Sequence, residues 1–290
     1  MLSGDNATMQ TFGILYVVAT PIGNLADISQ RALDTLRQVD LIAAEDTRHS
    51  GQMLVRMGIS TRMTALHEHN EQRATPALVA ALQYGQNIAL ITDAGTPAIS
   101  DPGALLVAAA HEAGVRVVPI PGASAAVAAL SAAGFTAPGW LFYGFLPARA
   151  SSRRSALKDL AQLPWTLVFY EAPHRIVECI ADLYTVLGER RLVIARELTK
   201  LYESVHALPL SEATAWLAAD SQRQRGEFVL TLSGALPVHM EESESALRDM
   251  LKVLLEDLPL KQAAHLAARL TGVKKNICYQ LALSMRDELA

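Results

Sequence analysis

The sequence predicts an α/β fold of two successive layers with a helical appendage behind them, on three observations. Short apolar runs alternate with longer segments of helical period. The chain has 290 residues, about two domains' worth, of which 51% are hydrophobic. Pro- and Glu-bearing residues then separate this part from three further helical patterns. After a polar leader (1–12), Ile14–Ala19, Leu41–Ala44, Asn87–Thr92 and Val115–Val118 read as buried strands bounded by turn residues. Between them, Ser29–Gln38, Ser50–Met57, Glu71–Gln83 and Gly103–Ala113 carry the 3.6-residue period of helices. This spacing predicts a largely parallel, doubly wound layer over 13–122. The Ala-rich run Ala123–Ala133 is expected to be a helix able to pack closely. A second α/β set fills 123–235, with strands at Trp140–Phe145, Trp165–Tyr170, Leu192–Ala195 and Glu227–Leu232. Its helices are expected near Ser152–Gln162, His174–Leu187 and Ser211–Ala219, on a mixed sheet. Gly234–Ser245 reads as a linker. Helices near Glu244–Asp257, Leu260–Leu270 and Lys274–Glu288 make up an appendage over 236–290.

Composition excludes several classes. Charged residues are 19% of the chain and the net charge is −4, which argues against disorder and against non-specific nucleic-acid packaging. The two cysteines, Cys179 and Cys278, cannot build a disulfide scaffold or a cysteine-based zinc site and fit a reducing cytosol. The leader has neither a basic nor an apolar signal-peptide segment, and Pro and Gly break the longest uncharged stretch, Val117–Phe145. A soluble, cytoplasmic protein is expected. No P-loop, HExxH, GxSxG or GxGxxG motif is present.

Two loops invite a ligand. Asp93-Ala-Gly-Thr-Pro-Ala-Ile-Ser-Asp-Pro-Gly103 follows the strand NIALIT, and ligands in open α/β sheets sit beyond the carboxyl ends of strands. Gly95 permits close backbone approach, while the prolines fix the loop's shape. The plainer alternative is a rigid connection in which Asp101 caps the helix that Pro102 opens. Pro121-Gly-Ala-Ser124-Ala enters the Ala-rich helix, whose free amides suit a carboxylate or phosphate.

With TPIGNLADI (20–28), AAEDTR (43–48), HEHNE (67–71), FYEAPHR (169–175), ARELTKLYE (195–203) and RGEF (225–228), these loops form an ordered set. The chain resembles the tetrapyrrole methylase superfamily over about 14–234. Within it the likeness is greatest to the branch acting on small-subunit (16S) ribosomal RNA. The resemblance implies two α/β domains of that type with the cofactor in the cleft between them. It implies S-adenosylmethionine as cofactor and a ribose 2′-hydroxyl of a cytidine near the decoding centre as acceptor. It also implies an assembled small ribosomal subunit as substrate, a homodimer, and no membrane partner. Thr20–Asn24 departs from the GxGPGD-like first loop of many porphyrin-modifying members, which disfavours a tetrapyrrole substrate. A non-enzymatic RNA-binding or assembly protein is the other reading, but it gives those two loops no purpose.

The resemblance places Pro21, Ile22, Gly95, Thr96, Ile99, Ser124 and Ala125 at the cofactor, with Tyr170, Ala195 and Glu227 closing from the second domain. No Lys or Arg in DAGTPAIS or PGASA would oppose a sulfonium. A neutral ribose hydroxyl is a poor nucleophile, so a proton acceptor or an alkoxide-stabilising cation is needed. Lys200 and Glu45 are the expected catalytic pair, the lysine through a lowered pKa or as a cation, the carboxylate as acceptor. Asp46, Arg48, His67, His69, Glu171, Arg175 and Arg196 are expected at the substrate. Arg153 and Arg154 are expected on RNA phosphates. Methyl transfer needs no metal, so the two histidines are read as hydrogen-bonding groups.

Overall fold

A computed structural model describes residues 11–235, 240–271 and 273–288, which divide into two compact units, Met1–Gly234 and Ala235–Ala290. The first contains two five-stranded sheets. Strands β1 (Ile14–Val18), β2 (Leu41–Ala44), β3 (Met63–Ala65), β4 (Ile88–Ile91) and β5 (Arg116–Ile120) pair entirely in parallel, in the order β3-β2-β4-β1-β5. β2 and β4 are buried along their whole length, as strands covered on both faces must be. Helices α1 (Gln30–Gln38) and α2 (Thr47–Arg56) pack Leu36, Met53 and Leu54 on one face. Helices α3 (Glu71–Gln83) and α4 (Ala104–Glu112) pack Leu78, Leu82 and Leu106 on the other. The chain leaves β1 toward β2 and β4 toward β5, in opposite directions. The loops after these two adjacent strands therefore diverge and open a crevice at the sheet's carboxyl edge.

That crevice is clamped. Thr20 and Gly95 exchange backbone hydrogen bonds at 2.8 and 3.1 Å, and the Thr20 hydroxyl donates to the Thr92 carbonyl at 3.0 Å. Gly103 lies at φ +125°, and a Cβ there would meet Leu90 at 2.6 Å, so the loop's exit also requires glycine. Asp101 does not cap α4. The buried Glu71 does so across the fold, accepting the amides of Gly103 and Leu105 at 2.9 Å and Leu106 at 3.4 Å. A carboxylate there satisfies three orphan amides and faces the positive end of the helix. Glu71→Ala is expected to lower stability by about 2–4 kcal/mol. The urea midpoint reads this, and an unshifted midpoint would contradict it.

The second sheet holds β6 (Trp140–Phe145), β7 (Thr166–Glu171), β8 (Arg191–Arg196), β9 (Ser204–Pro209) and β10 (Phe228–Leu232), in the order β6-β7-β10-β8-β9. β6 runs parallel to β7 and the remaining pairs are antiparallel, so the sheet is mixed as expected. Helix α5 (Ala125–Ala133) lays Ala126 and Ala129 on Val168, Ala195 and Val229; the other face carries α6 (Ala150–Leu160), α7 (Ile176–Leu187) and α8 (Leu210–Ala218). Small side chains let α5 approach its sheet closely.

The structure corrects several boundaries. β3 and β9 are edge strands absent from the sequence reading. α2 begins at Thr47 rather than Ser50, because Asp46 caps it by accepting the amides of Arg48 and His49. α7 begins at Ile176 rather than His174, because residues 173–175 form a turn before it. In the second unit, α9 (Met240–Asp257), α10 (Leu260–Thr271) and α11 (Lys275–Glu288) pack around Leu251, Ala264, Ala267, Cys278 and Ala282. α9 therefore takes in residues 240–245 of the expected linker. Residues 236–239 of it, and 1–10 of the expected leader, lie outside the described residues.

Candidate active site

Both sheets of the first unit contribute to one cavity of about 420 Å³. The β1 loop supplies Ile22, and the β4 loop Gly95, Thr96, Ile99 and Asp101. The α5 N-terminus adds Ser124 and Ala125, while β7 adds Tyr170 and Glu171, and Glu227 comes from the residue just before β10. Of the residues expected at the cofactor, only Pro21 and Ala195 do not line this cavity. Pro21 borders the pocket beside it, and Ala195 is buried under α5.

The β4 loop reaches its shape through left-handed backbone at Gly95 (φ +84°), Ala98 (φ +66°) and Ser100 (φ +66°). Its Thr96 hydroxyl donates to the Ala123 carbonyl at 3.1 Å, tying it to the loop before α5. Ser124 makes no side-chain cap, and the Ala126 amide donates to the Tyr170 hydroxyl at 3.2 Å. The first turn of α5 is left otherwise open to a ligand's anion. Among the described lining residues stand three carboxylates, Asp101, Glu171 and Glu227, and neither lysine nor arginine. Such a lining suits a ligand carrying positive charge together with a carboxylate, and S-adenosylmethionine has both.

Asp101 was not singled out for chemistry in the sequence, where it read as a helix cap. Burial, reinforced by the charges of Glu45 and Asp93, pushes its carboxyl up to about 6. Glu45 is raised too, chiefly by burial, although it accepts the Asp93 amide at 3.3 Å. Asp93 in turn accepts the Asp46 amide at 3.2 Å, so the carboxyl ends of β2 and β4 are stitched together. Lys200 bonds Glu197 at 3.0 Å and Glu227 at 2.9 Å. Burial pulls its pKa down, but the bonds and charges of Glu227 and Glu197 outweigh that and raise it. Of the two alternatives expected of Lys200, the lowered pKa is corrected, and the raised pKa accords with the charged form. Its stem crosses Gly23, where a Cβ would lie 2.5 Å from Lys200 Cγ.

Other expected substrate residues have structural partners. Arg153, only 1% exposed, bonds Asp182 at 2.6 Å and the Ala148 carbonyl at 3.2 Å; Arg154 shares Asp182 at 3.0 Å. Arg153 is corrected to a strut between α6 and α7, because its guanidinium is enclosed and paired. Arg196 donates to the carbonyls of Tyr202, Gln222 and Arg225 and braces two loops. Arg175 pairs with the buried Glu171 at 3.2 Å. Asp46, besides capping α2, pairs with Arg48 at 3.2 Å, and that arginine side chain is 90% exposed. His67 and His69 stand edge to face with ring centroids 6.1 Å apart and line neither this cavity nor the pocket beside it.

A second pocket, of about 310 Å³, adjoins the first and shares Ile22, Ala94 and Glu227 with it. Its lining is mixed in charge: Lys200 and Arg56 stand with Asp93 and Glu227, beside His49 and Gln52.

Two α/β layers closing on a charge-selective cavity define an enzyme of the two-layer methyltransferase class. The chain belongs to the tetrapyrrole (corrin/porphyrin) methylase family, whose model matches residues 14–214. Residues 241–286 match the model described as the RsmI C-terminal HTH domain. The chain is 52% identical to the ribosomal RNA small subunit methyltransferase I of Escherichia coli O157:H7, over 98% of each chain. It is 54% identical to the protein of that name from Pseudomonas aeruginosa, over 95% of this chain and 99% of that one. In fold it is similar to a uroporphyrin-III C-methyltransferase from Thermus thermophilus complexed with S-adenyl homocysteine. That likeness has a TM-score of 0.54 at 17% identity, over 76% of this chain and 97% of that one. No helix among the described residues is long and apolar enough to cross a membrane.

Proposed function

We propose that this protein methylates the ribose 2′-hydroxyl of a cytidine near the decoding centre of 16S ribosomal RNA, using S-adenosylmethionine. The observation that carries the RNA assignment is the likeness, over nearly the whole chain, to proteins named for methylating small-subunit ribosomal RNA. The assembled small subunit as substrate and a homodimer as the active form belong to the same reading.

The cofactor supplies an electrophilic methyl group on a sulfonium. Ser124 and Ala125 would hold its carboxylate at the α5 N-terminus, Gly95 and Thr96 would contact it through backbone, and Asp101, Glu171 and Glu227 would face its positive charge. Asp101 and Glu45 are the groups suited to accept the hydroxyl proton, since burial gives each a higher affinity for it than a solvated carboxylate has. Lys200, held charged by Glu197 and Glu227, stabilises the developing alkoxide electrostatically. Positioning supplies much of the acceleration.

Incubation with methyl-labelled S-adenosylmethionine, small ribosomal subunits and a porphyrin precursor tests the reading. Label is expected in the RNA alone. Label in the porphyrin alone would overturn the assignment.

A further inference from the structure

The second pocket has unengaged polar groups that the methyl donor does not need. His49, Gln52 and Arg56 lie at i, i+3 and i+7 on α2 and so share one face, with Met53 beside them on the pocket wall. None of the three polar side chains makes a hydrogen bond or ion pair among the described residues, and all three are exposed. Lys200, in contrast, is committed to two carboxylates. The two pockets meet at Ile22, Ala94 and Glu227, so a group held in one is adjacent to a group held in the other.

The geometry points to this α2 pocket as the seat of the target nucleotide, with Arg56 and His49 on its phosphate and Gln52 on the polar edge of its base. The inference rests on the RNA methyltransferase reading. An arginine fork matches phosphate bidentately, and an amide can donate and accept at once against a pyrimidine edge. Single-stranded bases are read on such edges once they are splayed from the stack. A nucleotide held this way places its ribose between the phosphate site on α2 and the seam with the first cavity, next to Lys200. That is where the acceptor hydroxyl must stand. Of the two pockets only the second has lysine and arginine in its lining, Lys200 and Arg56, which draws the phosphate there rather than into the first cavity and sets the orientation.

The test compares the wild-type protein with Arg56→Glu, Gln52→Ala and Arg73→Glu, using small ribosomal subunits from cells that lack the modification. Arg73 is exposed on α3 and lines neither pocket, so it controls for general charge steering. Arg56→Glu is expected to raise KM for subunits by about tenfold or more, as loss of one charge-assisted phosphate contact should. Gln52→Ala is expected to lower kcat/KM, and Arg73→Glu to leave KM near wild type. Calorimetry should find S-adenosylmethionine affinity unchanged in all three. An unchanged KM in Arg56→Glu overturns the pocket assignment while the methyltransferase reading stands. It is equally overturned by an equal rise in Arg73→Glu, or by a parallel loss of cofactor affinity. If the wild-type protein transfers no methyl group to any subunit, the reading itself fails and the pocket assignment with it.

Discussion

Replacing Gly95 with valine is expected to abolish S-adenosylmethionine binding while leaving the protein folded. Gly95 sits at φ +84°, a region that β-branched residues avoid, and a Cβ there would already lie 3.5 Å from Ile22 in the cavity wall. The two valine methyls would project further into the space the ligand needs, and the strained backbone would pull against the bridge to Thr20. Left-handed strain costs about 1–2 kcal/mol, which a well-packed α/β unit tolerates. Loss of backbone approach should raise the dissociation constant by about a hundredfold or more, roughly two binding contacts' worth. Calorimetry on a variant that still melts cooperatively reads the effect. An unchanged dissociation constant would remove the β4 loop from the site.

Asp101→Asn is expected to reduce the single-turnover methylation rate by about a hundredfold, the ordinary reach of general base catalysis. The wild-type rate should rise with pH through about 6, as Asp101 loses its proton, and then level off. The variant should lack that inflection. The same shift predicts an opposite change in stability. A carboxyl raised from 3.8 to about 6 binds its proton more tightly folded than unfolded. Wild-type stability therefore falls as pH rises between those values, and the loss persists above them. Asparagine escapes it, so the variant should be more stable by about 1–2 kcal/mol at neutral pH, the shift being discounted for partial exposure. That gain should vanish below the unfolded value. Thermal unfolding at neutral and acidic pH checks it. A variant that is slow but no more stable would argue that Asp101 is not desolvated, and a fast one that it is not the acceptor.

The layers and both loops were legible because periodicity and turn chemistry are local. Asn87–Thr92 reads as a covered strand, and the eleven-residue loop behind it, with two each of Gly, Pro and Asp, is longer than a simple connection needs. The mixed second sheet followed from the same patterns, and Ala123–Ala133 from its small side chains. β3 escaped notice because it is three residues long at a sheet edge. β9 escaped because alternating exposure lets polar residues such as His206, stacked on Trp216, into the strand. The site was less legible, because charge roles depend on partners far apart in sequence. Arg153 looks like a phosphate ligand until Asp182, 29 residues on, encloses it. Asp101 looks like a cap until Glu71, from α3, takes that role and leaves the aspartate beside Glu45 and Asp93. The open face of α2 was hidden for the same reason: nothing local marks His49, Gln52 and Arg56 as pocket lining.

The most direct measurement is nucleoside mass spectrometry of small-subunit ribosomal RNA from cells with and without this protein. One 2′-O-methylcytidine is expected to disappear when the protein is absent and to return when the wild-type chain is supplied, but not when Gly95→Val is. An unchanged 2′-O-methylcytidine content in the cells lacking it would contradict the proposed activity.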